Sequence, residues 1–332
     1  MAQKDTNPYK YSDSNKRYMT YDWYMKKRFG GKVAKVTLDI GCTCPNLDGT
    51  RGHGGCIYCK SGSRSAVGEG LAEQYENGVA TASRKWKPVG FIPYLQSNTN
   101  TYGDIDRLRQ AYSRASELHG AVMLDIATRA DCLSDEVIRE LEDVARMIPL
   151  TVELGLQTTS DTTAELINRC HSYGEFCDGF ARLKAAADRV NREFAADDGG
   201  ELPMKRFLIC VHIINGLPGE GADEMMKTAR DVAGLCPDMI KIHLMHVLKD
   251  TALGDMYERG EYTPMERDEY VRITCDQLEI LPSEMIIARV TGDGVAEELL
   301  APLWSMRKTE VANEIDKELY RRNSFQGSKF GL

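Results

Sequence analysis

The sequence predicts an α/β protein whose parallel sheet curls into a closed or partly open (β/α)6 barrel. Two observations predict it. Six short apolar runs of strand length alternate with longer stretches of helical period, and such alternation implies parallel strands joined by right-handed crossovers. No short-period repeat or low-complexity tract interrupts the pattern. A complete barrel needs eight units, so six leave it closed in a reduced form or partly open. In either form, functional residues gather at the C-terminal ends of the strands.

The strands are expected at Val33–Ile40, Val89–Leu95, Ala121–Ala127, Leu150–Leu156, Arg206–Ile214 and Met239–Met245. The helices between them are expected at Glu69–Asn77, Asp104–Leu118, Ser134–Ala145, Glu175–Phe194 and Asp223–Leu235. Ser134 reads as an N-cap, because its hydroxyl can accept from a free N–H of the first turn. Asp135 and Glu136 follow it and suit the positive end of the helix dipole. Ala195–Glu201, with two aspartates and two glycines in succession, reads as a surface loop. Beyond Pro282, Met285–Val290 reads as a further strand and Ser305–Arg322 as a helix with a mixed charged face. The chain thus divides into an N-terminal extension (1–32), the barrel (33–260) and a C-terminal extension (261–332) closing its mouth.

The 332 residues carry 42 Lys and Arg against 50 Asp and Glu, a net of −8, and 42% are hydrophobic. That is enough apolar content for a sizeable core and too much for a disordered chain. No run approaches the roughly 18 apolar residues of a membrane helix, and the polar N-terminus lacks the apolar core of a secretory signal. A cytoplasmic location with reduced cysteines is expected. Residues 1–35 hold nine Lys and Arg and three Asp, so the remaining 297 carry −14. Aromatic residues interleave the basic ones: Tyr9, Tyr11, Tyr18, Tyr21, Trp23, Tyr24 and Phe29. Cations for phosphates and rings for bases suit nucleic acid; a solvated arm whose rings dock on the core is the other reading.

Ten cysteines in such a chain raise metal or thiol chemistry first. The stretch after the first strand, Gly41 to Cys59, holds four of them: Cys42, Cys44, Cys56 and Cys59. Cys56 and Cys59 form a Cys-x-x-Cys pair, and four glycines and a proline between Cys44 and Cys56 let the backbone wrap a bulky group. Four thiolates could hold zinc. Three could hold a [4Fe–4S] cluster with one iron open to a ligand.

Position at the end of strand one favours the cluster, and here the chain resembles the radical S-adenosylmethionine (SAM) enzymes. The segment "KVAKVTLDIGCTCPNLDGTRGHGGCIYC" resembles their YhcC/YtqA-type subfamily, related to the catalytic Elongator subunit, with a long first gap (Cys44-x11-Cys56-x2-Cys59). Eight further pieces in the same order carry the resemblance through almost the whole chain: "YLQSNTNTYG" at 94–103, "ATRADCLSDEV" at 127–137, "ELGLQT" at 153–158, "INRCHSY" at 167–173, "VHIINGLPGE" at 211–220, "IKIHLMHVLKDTALGDMY" at 240–257, "RVTGD" at 289–293 and "APLWSMRK" at 301–308. The resemblance implies a partial (β/α)6 TIM-type barrel of the radical SAM type. It also implies one [4Fe–4S] cluster on Cys44, Cys56 and Cys59, and SAM chelated by the open iron and cleaved by electron transfer to a 5′-deoxyadenosyl radical. Cys42 stands where the subfamily has Phe and is read as extra.

By the same resemblance Tyr58 lies by the adenine, and Gln96, Asn98 and Thr99 receive the SAM amino group. Their amide and hydroxyl oxygens are acceptors an ammonium needs, although a plain polar loop would read the same way. Glu153, Gly155 and Gln157 share a strand face. An inward carboxylate needs a partner: ribose hydroxyls by resemblance, or an internal arginine such as Arg129. His212 and Asn215 precede a glycine-rich turn where adenine can approach the backbone. Lys241 and His243 share a face of strand six, with His246 opposite if the strand continues. His243 is placed near the substrate, and Lys241 or Arg289 is a cationic partner for a substrate carboxylate. Cys170 stands where the subfamily has glycine, and the remaining cysteines are read as buried and inert. The partners implied are tRNA, its wobble uridine being the target, and a reducing electron donor such as flavodoxin or ferredoxin. The implied reaction takes 5-carboxymethylaminomethyl-uridine to its aminomethyl form; the alternatives are a radical SAM reaction on a small metabolite or protein, and a zinc or iron–sulfur binding protein without turnover.

Overall fold

A computed structural model describes residues 7–60, 70–195, 202, 204–292, 294 and 296–331. Asp293, Glu69 and all of the expected loop except Ala195 lie outside the described residues. In chain order the elements are α1 (Tyr21–Phe29), β1 (Val33–Leu38), α2 (Leu71–Lys85), β2 (Gly90–Leu95), α3 (Ile105–Ser116), β3 (Leu124–Thr128), α4 (Asp135–Met147) and β4 (Leu150–Gln157). They continue through α5 (Asp161–Leu166), α6 (Tyr173–Glu193), β5 (Phe207–Asn215), α7 (Ala222–Leu235), β6 (Met239–Leu244), β7 (Val247–Leu248) and α8 (Ala252–Glu258). The last are α9 (Arg267–Ile280), β8 (Ile286–Arg289), β9 (Leu299–Ala301) and α10 (Lys308–Arg321).

All six expected strands form. With β8 they make one parallel sheet in the order β1-β2-β3-β4-β5-β6-β8, curled into a half-barrel with helices outside. Register is set by two-sided burial. Along β5, Ile209, Val211 and Ile213 face the helices, while Leu208, Cys210 and His212 face the barrel interior. Ser134 does cap α4, its hydroxyl accepting from the Val137 amide at 3.2 Å. α2 runs two turns beyond its expected end, because its apolar stripe continues through Val79 to Ala82.

The seventh strand comes from the segment read as a closing extension. β8 joins the sheet beside β6, and α9 and α10 continue the outer helical layer. β9 pairs antiparallel with β7 beside the cysteine loop, whose Ile57 carbonyl accepts from the Leu253 amide. Trp304 is structural: its indole donates to the Met265 carbonyl at 3.1 Å and its ring packs on Tyr270.

The N-terminal segment corrects the base-stacking reading of its rings. Tyr9, Tyr11, Tyr18 and Tyr24 are buried. With Met19 and Met25 most of these rings plug the N-terminal end of the half-barrel against Ile92, Met123, Leu208, Met239 and Ile286. α1 spans the open seam, touching both edge strands, and the Ile287 amide donates to the Met19 carbonyl at 2.8 Å. Buried rings cannot stack on bases; the hydrophobic gain of filling an open barrel end decided their place.

Candidate active site

The half-barrel encloses a cavity of about 1330 Å³ that runs from the cysteine loop to the α1 seam. The loop after β1 is folded by its own backbone. The Leu47 amide donates to the Cys44 carbonyl, Arg51 to Pro45, Gly55 to Asn46 and Cys59 to Cys56. Gly55 has φ of +77°, and a Cβ there would press on Leu47, so glycine is required at this approach. Asn46, fully buried, ties the loop to β4's crossover by donating to the Asn168 and Arg169 carbonyls at 2.7 and 3.1 Å.

Cys44, Cys56 and Cys59 line the cavity. Cys42 does not: it sits in the outer core, where burial pushes its thiol up to about 11. Two arginines approach the three lining thiols. Arg129 Nη1 lies 3.9 Å from Cys44 Sγ and is held by Asp131 through two contacts of 2.9 Å. Arg169 Nη1 lies 3.9 Å from Cys56 Sγ, its Nη2 donates to the Gly155 carbonyl, and its buried Nε has no hydrogen-bond partner. The Cys59 thiol beside it and then Arg169 hold Cys56 well below the usual thiol range. Three thiols facing one chamber with two guanidiniums behind them fit an anionic thiolate-bound cluster, and Cys44, Cys56 and Cys59 would hold it.

The residues expected around SAM divide. Gln96, Asn98, Thr99 and Gln157 line the cavity. Asn98, at φ +59°, donates its amide to the Cys42 carbonyl at 2.9 Å, which leaves its oxygen as the acceptor. Gln157, at φ +79°, sits where the β4–β5 register slips past Gly155. Two of the expected residues have side chains that lie outside the cavity lining. The Tyr58 ring packs with Ile167, Ile214 and Leu253 outside the cavity. The Asn215 side chain exchanges two hydrogen bonds with Gln277 of α9, at 2.9 and 2.8 Å; a buried amide is best satisfied by another amide.

The floor holds an ionic layer. Glu153 Oε1 accepts from Lys35 at 2.8 Å. Its Oε2 accepts from Lys241, from the Tyr94 hydroxyl at 2.5 Å, and faces His212 Nε2 at 3.0 Å. Asp125 pairs with Lys35. Burial works against the Glu153 charge, but Lys241 and Lys35 outweigh it and hold the carboxyl well below its usual range. Burial raises Asp125 and lowers Lys241. Burial, then Lys241, lowers His212 to about 4, and burial with His212 and Arg289 lowers His243 well below its usual value. Both imidazoles are therefore neutral near pH 7. Glu153 lines the cavity with both oxygens engaged by these neighbours, which corrects the Arg129 reading; Arg129 belongs to Asp131. His243 lines the cavity 5.2 Å, ring to ring, from His212, and its buried Nε2 has no hydrogen-bond partner. Arg289 also lines the cavity. His246 does not follow: β6 ends at Leu244, and the ring lies against Gly292.

Glu153, Cys210 and His212 place one ligand atom each within 4.8 Å of the others, but the ammonium of Lys241 on Glu153 does not suit a cation. Sequence reasoning missed Lys35 and Asp125. Each interrupts an apolar strand with a charge at an inward alternation position, a readable signal. Arg129 was weighed only as a partner of Glu153, and Arg169 lay within a matched piece without a role.

The fold and the thiol-lined chamber define a cofactor-dependent α/β half-barrel enzyme class. The Radical SAM superfamily description matches residues 48–232 and the Radical SAM C-terminal domain residues 237–321. The chain belongs to the radical SAM superfamily and, within it, to the YhcC/YtqA-type subfamily related to Elongator. It is 42% identical to the uncharacterized protein YtqA of Bacillus subtilis, over 98% of this chain and 96% of the relative. It is 23% identical to a tRNA uridine(34) acetyltransferase of Methanocaldococcus infernus, over 80% of this chain and 53% of that protein. The solved structure of Elp3 from the same archaeon aligns with a TM-score of 0.61 at 19% identity, covering 89% of this chain and 64% of that one. Membership implies SAM and an iron–sulfur cluster. Among the described residues no helix is long and apolar enough to cross a membrane.

Proposed function

We propose that this protein is a tRNA-modifying radical SAM enzyme that converts 5-carboxymethylaminomethyl-uridine at the wobble position to 5-aminomethyl-uridine. The observation that carries the reading is a single cavity joining three thiols at one end to neutral imidazoles and cations at the other, in a chain similar to a tRNA uridine(34) acetyltransferase. A [4Fe–4S] cluster on Cys44, Cys56 and Cys59, reduced by a donor such as flavodoxin or ferredoxin, supplies with SAM a carbon radical able to take a hydrogen atom.

The substrate position suited to that loss is the glycine-like methylene between the amine and the carboxylate, where the radical is stabilised from both sides. Loss of one further electron, to a one-electron carrier of the flavodoxin or ferredoxin class in its oxidised form, and of the N–H proton would give an imine. Water adds across it, the carbon–nitrogen bond breaks, and aminomethyl-uridine and glyoxylate leave. The chain's own groups have distinct tasks. Arg289 and Lys241, both lining the cavity, are the cations offered to the substrate carboxylate. His243, neutral and with its buried Nε2 unpartnered, accepts the proton as water adds. Gln96, Asn98 and Thr99 offer oxygens to the SAM ammonium.

Incubating the enzyme with SAM, reductant and tRNA bearing the carboxymethylaminomethyl group should yield aminomethyl-uridine together with 5′-deoxyadenosine. Deoxyadenosine formation with unaltered tRNA would remove this substrate and favour a small metabolite or a protein.

A further inference from the structure

With four of the seven N-terminal rings buried, a second surface presents a more exposed aromatic ring among cations. Trp86 follows α2 at the foot of β1 and is 45% exposed. Lys32 Nζ lies 4.8 Å and Lys85 Nζ 6.0 Å from its ring centroid. Arg84, Lys85 and Lys87 are exposed around it, and Val89 beside it is 57% exposed. The Val89 amide donates to the Lys32 carbonyl at 2.8 Å, so segments 22–32 and 79–89 form one ridge. Together they carry seven Lys and Arg and one acid, Asp22, in a chain of net −8. Asp22 is already occupied by Lys26 and Lys32.

The ridge is continuous with the chemistry. Trp86 and Lys32 line the same cavity as Cys44, Cys56 and Cys59. Between them runs β1, an edge strand of six residues and so about 20 Å long. Its Lys35 and Thr37 face the cavity. A polyanion drawn to the cations alone would need no exposed indole; a solvated charge run would not border a reaction chamber.

We propose that this ridge docks a single-stranded stretch of the RNA substrate, one base stacked on Trp86 and phosphates on Arg84, Lys85, Lys87 and Lys32. The adjoining nucleotide then passes along β1 into the chamber. The inference rests on the tRNA reading above. Aromatic stacking and backbone cations together are how proteins hold unpaired strands, and an anticodon loop offers one.

Binding of a fluorescent anticodon stem–loop RNA to the full chain tests it. Trp86→Ala should weaken binding about 5- to 150-fold, the range set by loss of one stacked base. Lys85→Glu with Lys87→Glu should lower the slope of log affinity against log salt by about 1 to 2. Reversing the same charge on α6, with Lys184→Glu and Arg192→Glu, should change neither by more than about 2-fold on this reasoning. Unfolding midpoints matching the wild type exclude misfolding. Wild-type binding that all variants retain, with an unchanged salt slope, overturns the ridge and leaves the tRNA reading standing. The same holds if the ridge variants slow only reduction by an acidic electron donor. Absence of RNA binding by the wild type overturns both.

Discussion

The two ends of the cavity are built from similar residue types with opposite outcomes. At the floor, two lysines, a tyrosine and a histidine converge on Glu153 and occupy both of its oxygens, and Asp125 is ion-paired to Lys35. At the cysteine end, Arg129 is closed by Asp131, but Arg169 is not. Arg169 is buried with an unpartnered Nε, and three thiols face the chamber. A charge in a cavity wall is therefore no sign of ligand binding by itself. What separates the ends is whether the protein has already satisfied the group, because a buried group left unpaired is costly and one already paired has little to offer a ligand.

The sharpest break of this contrast is at the thiols. Anaerobically reconstituted wild-type protein should carry about four irons per chain. Cys44→Ala, Cys56→Ala and Cys59→Ala should each lose the cluster and all SAM cleavage, while Cys42→Ala keeps both. Stoichiometric zinc without iron would overturn the cluster.

Next comes the floor. Glu153→Ala leaves Lys241 buried beside Lys35 without its counter-charge. It should cost about 3–5 kcal/mol in urea unfolding, the range for breaking a buried pair. Replacing both Glu153 and Lys241 by methionine should cost less than either change alone, since no stranded charge remains. Lost SAM affinity with undiminished stability in Glu153→Ala would return Glu153 to the ligand and erase the distinction between the two ends.

A smaller effect comes from His212. Its folded pKa of about 4 lies below its unfolded value near 6.5. Its stabilisation is thus complete above pH 6.5 and is lost as pH falls toward 4. The slope is at most about 1.4 kcal/mol per pH unit, about 3 kcal/mol in all. His243 acts in the same direction, and Glu153, whose pKa is lowered, adds its own loss from about pH 5 downward. Unfolding free energies at pH 7, 5.5 and 4.5 should fall less steeply for His212→Gln than for the wild type. Equal slopes would mean that His212 is charged within the layer.

The smallest change is at Cys170, which has φ of +57° in the left-handed region. Cys170→Gly should alter stability by no more than about 1 kcal/mol, relief of the backbone offsetting the freedom glycine gains when unfolded. Iron content should not change; a loss of iron would add Cys170 to the cluster end.

Much of this was legible before any coordinates. Apolar runs of strand length located all six barrel strands and the seventh at Met285–Val290, because strands buried on both faces read as continuous apolar text. Ser134 announced α4 by local chemistry alone. The loop that brings Cys44, Cys56 and Cys59 to the chamber was readable because its spacing and glycines lie in contiguous residues. Cys170 was noted as replacing a glycine, and the left-handed backbone there supplies the reason.

What only the tertiary structure decided are the outcomes of competition between distant residues. Lys35, Asp125, Glu153 and Lys241 come from four strands, and nothing local says that Glu153 will be claimed by lysines instead of Arg129. Asn215 ends a strand at the chamber, yet its amide turns to Gln277, 62 residues away. The N-terminal rings are the same case. Their composition suits a nucleic-acid surface and a barrel plug equally, and the open end of a seven-stranded half-barrel, an apolar surface that had to be covered, took them. Local text records propensity and spacing, whereas pairing and burial depend on which partners the closed sheet brings within reach.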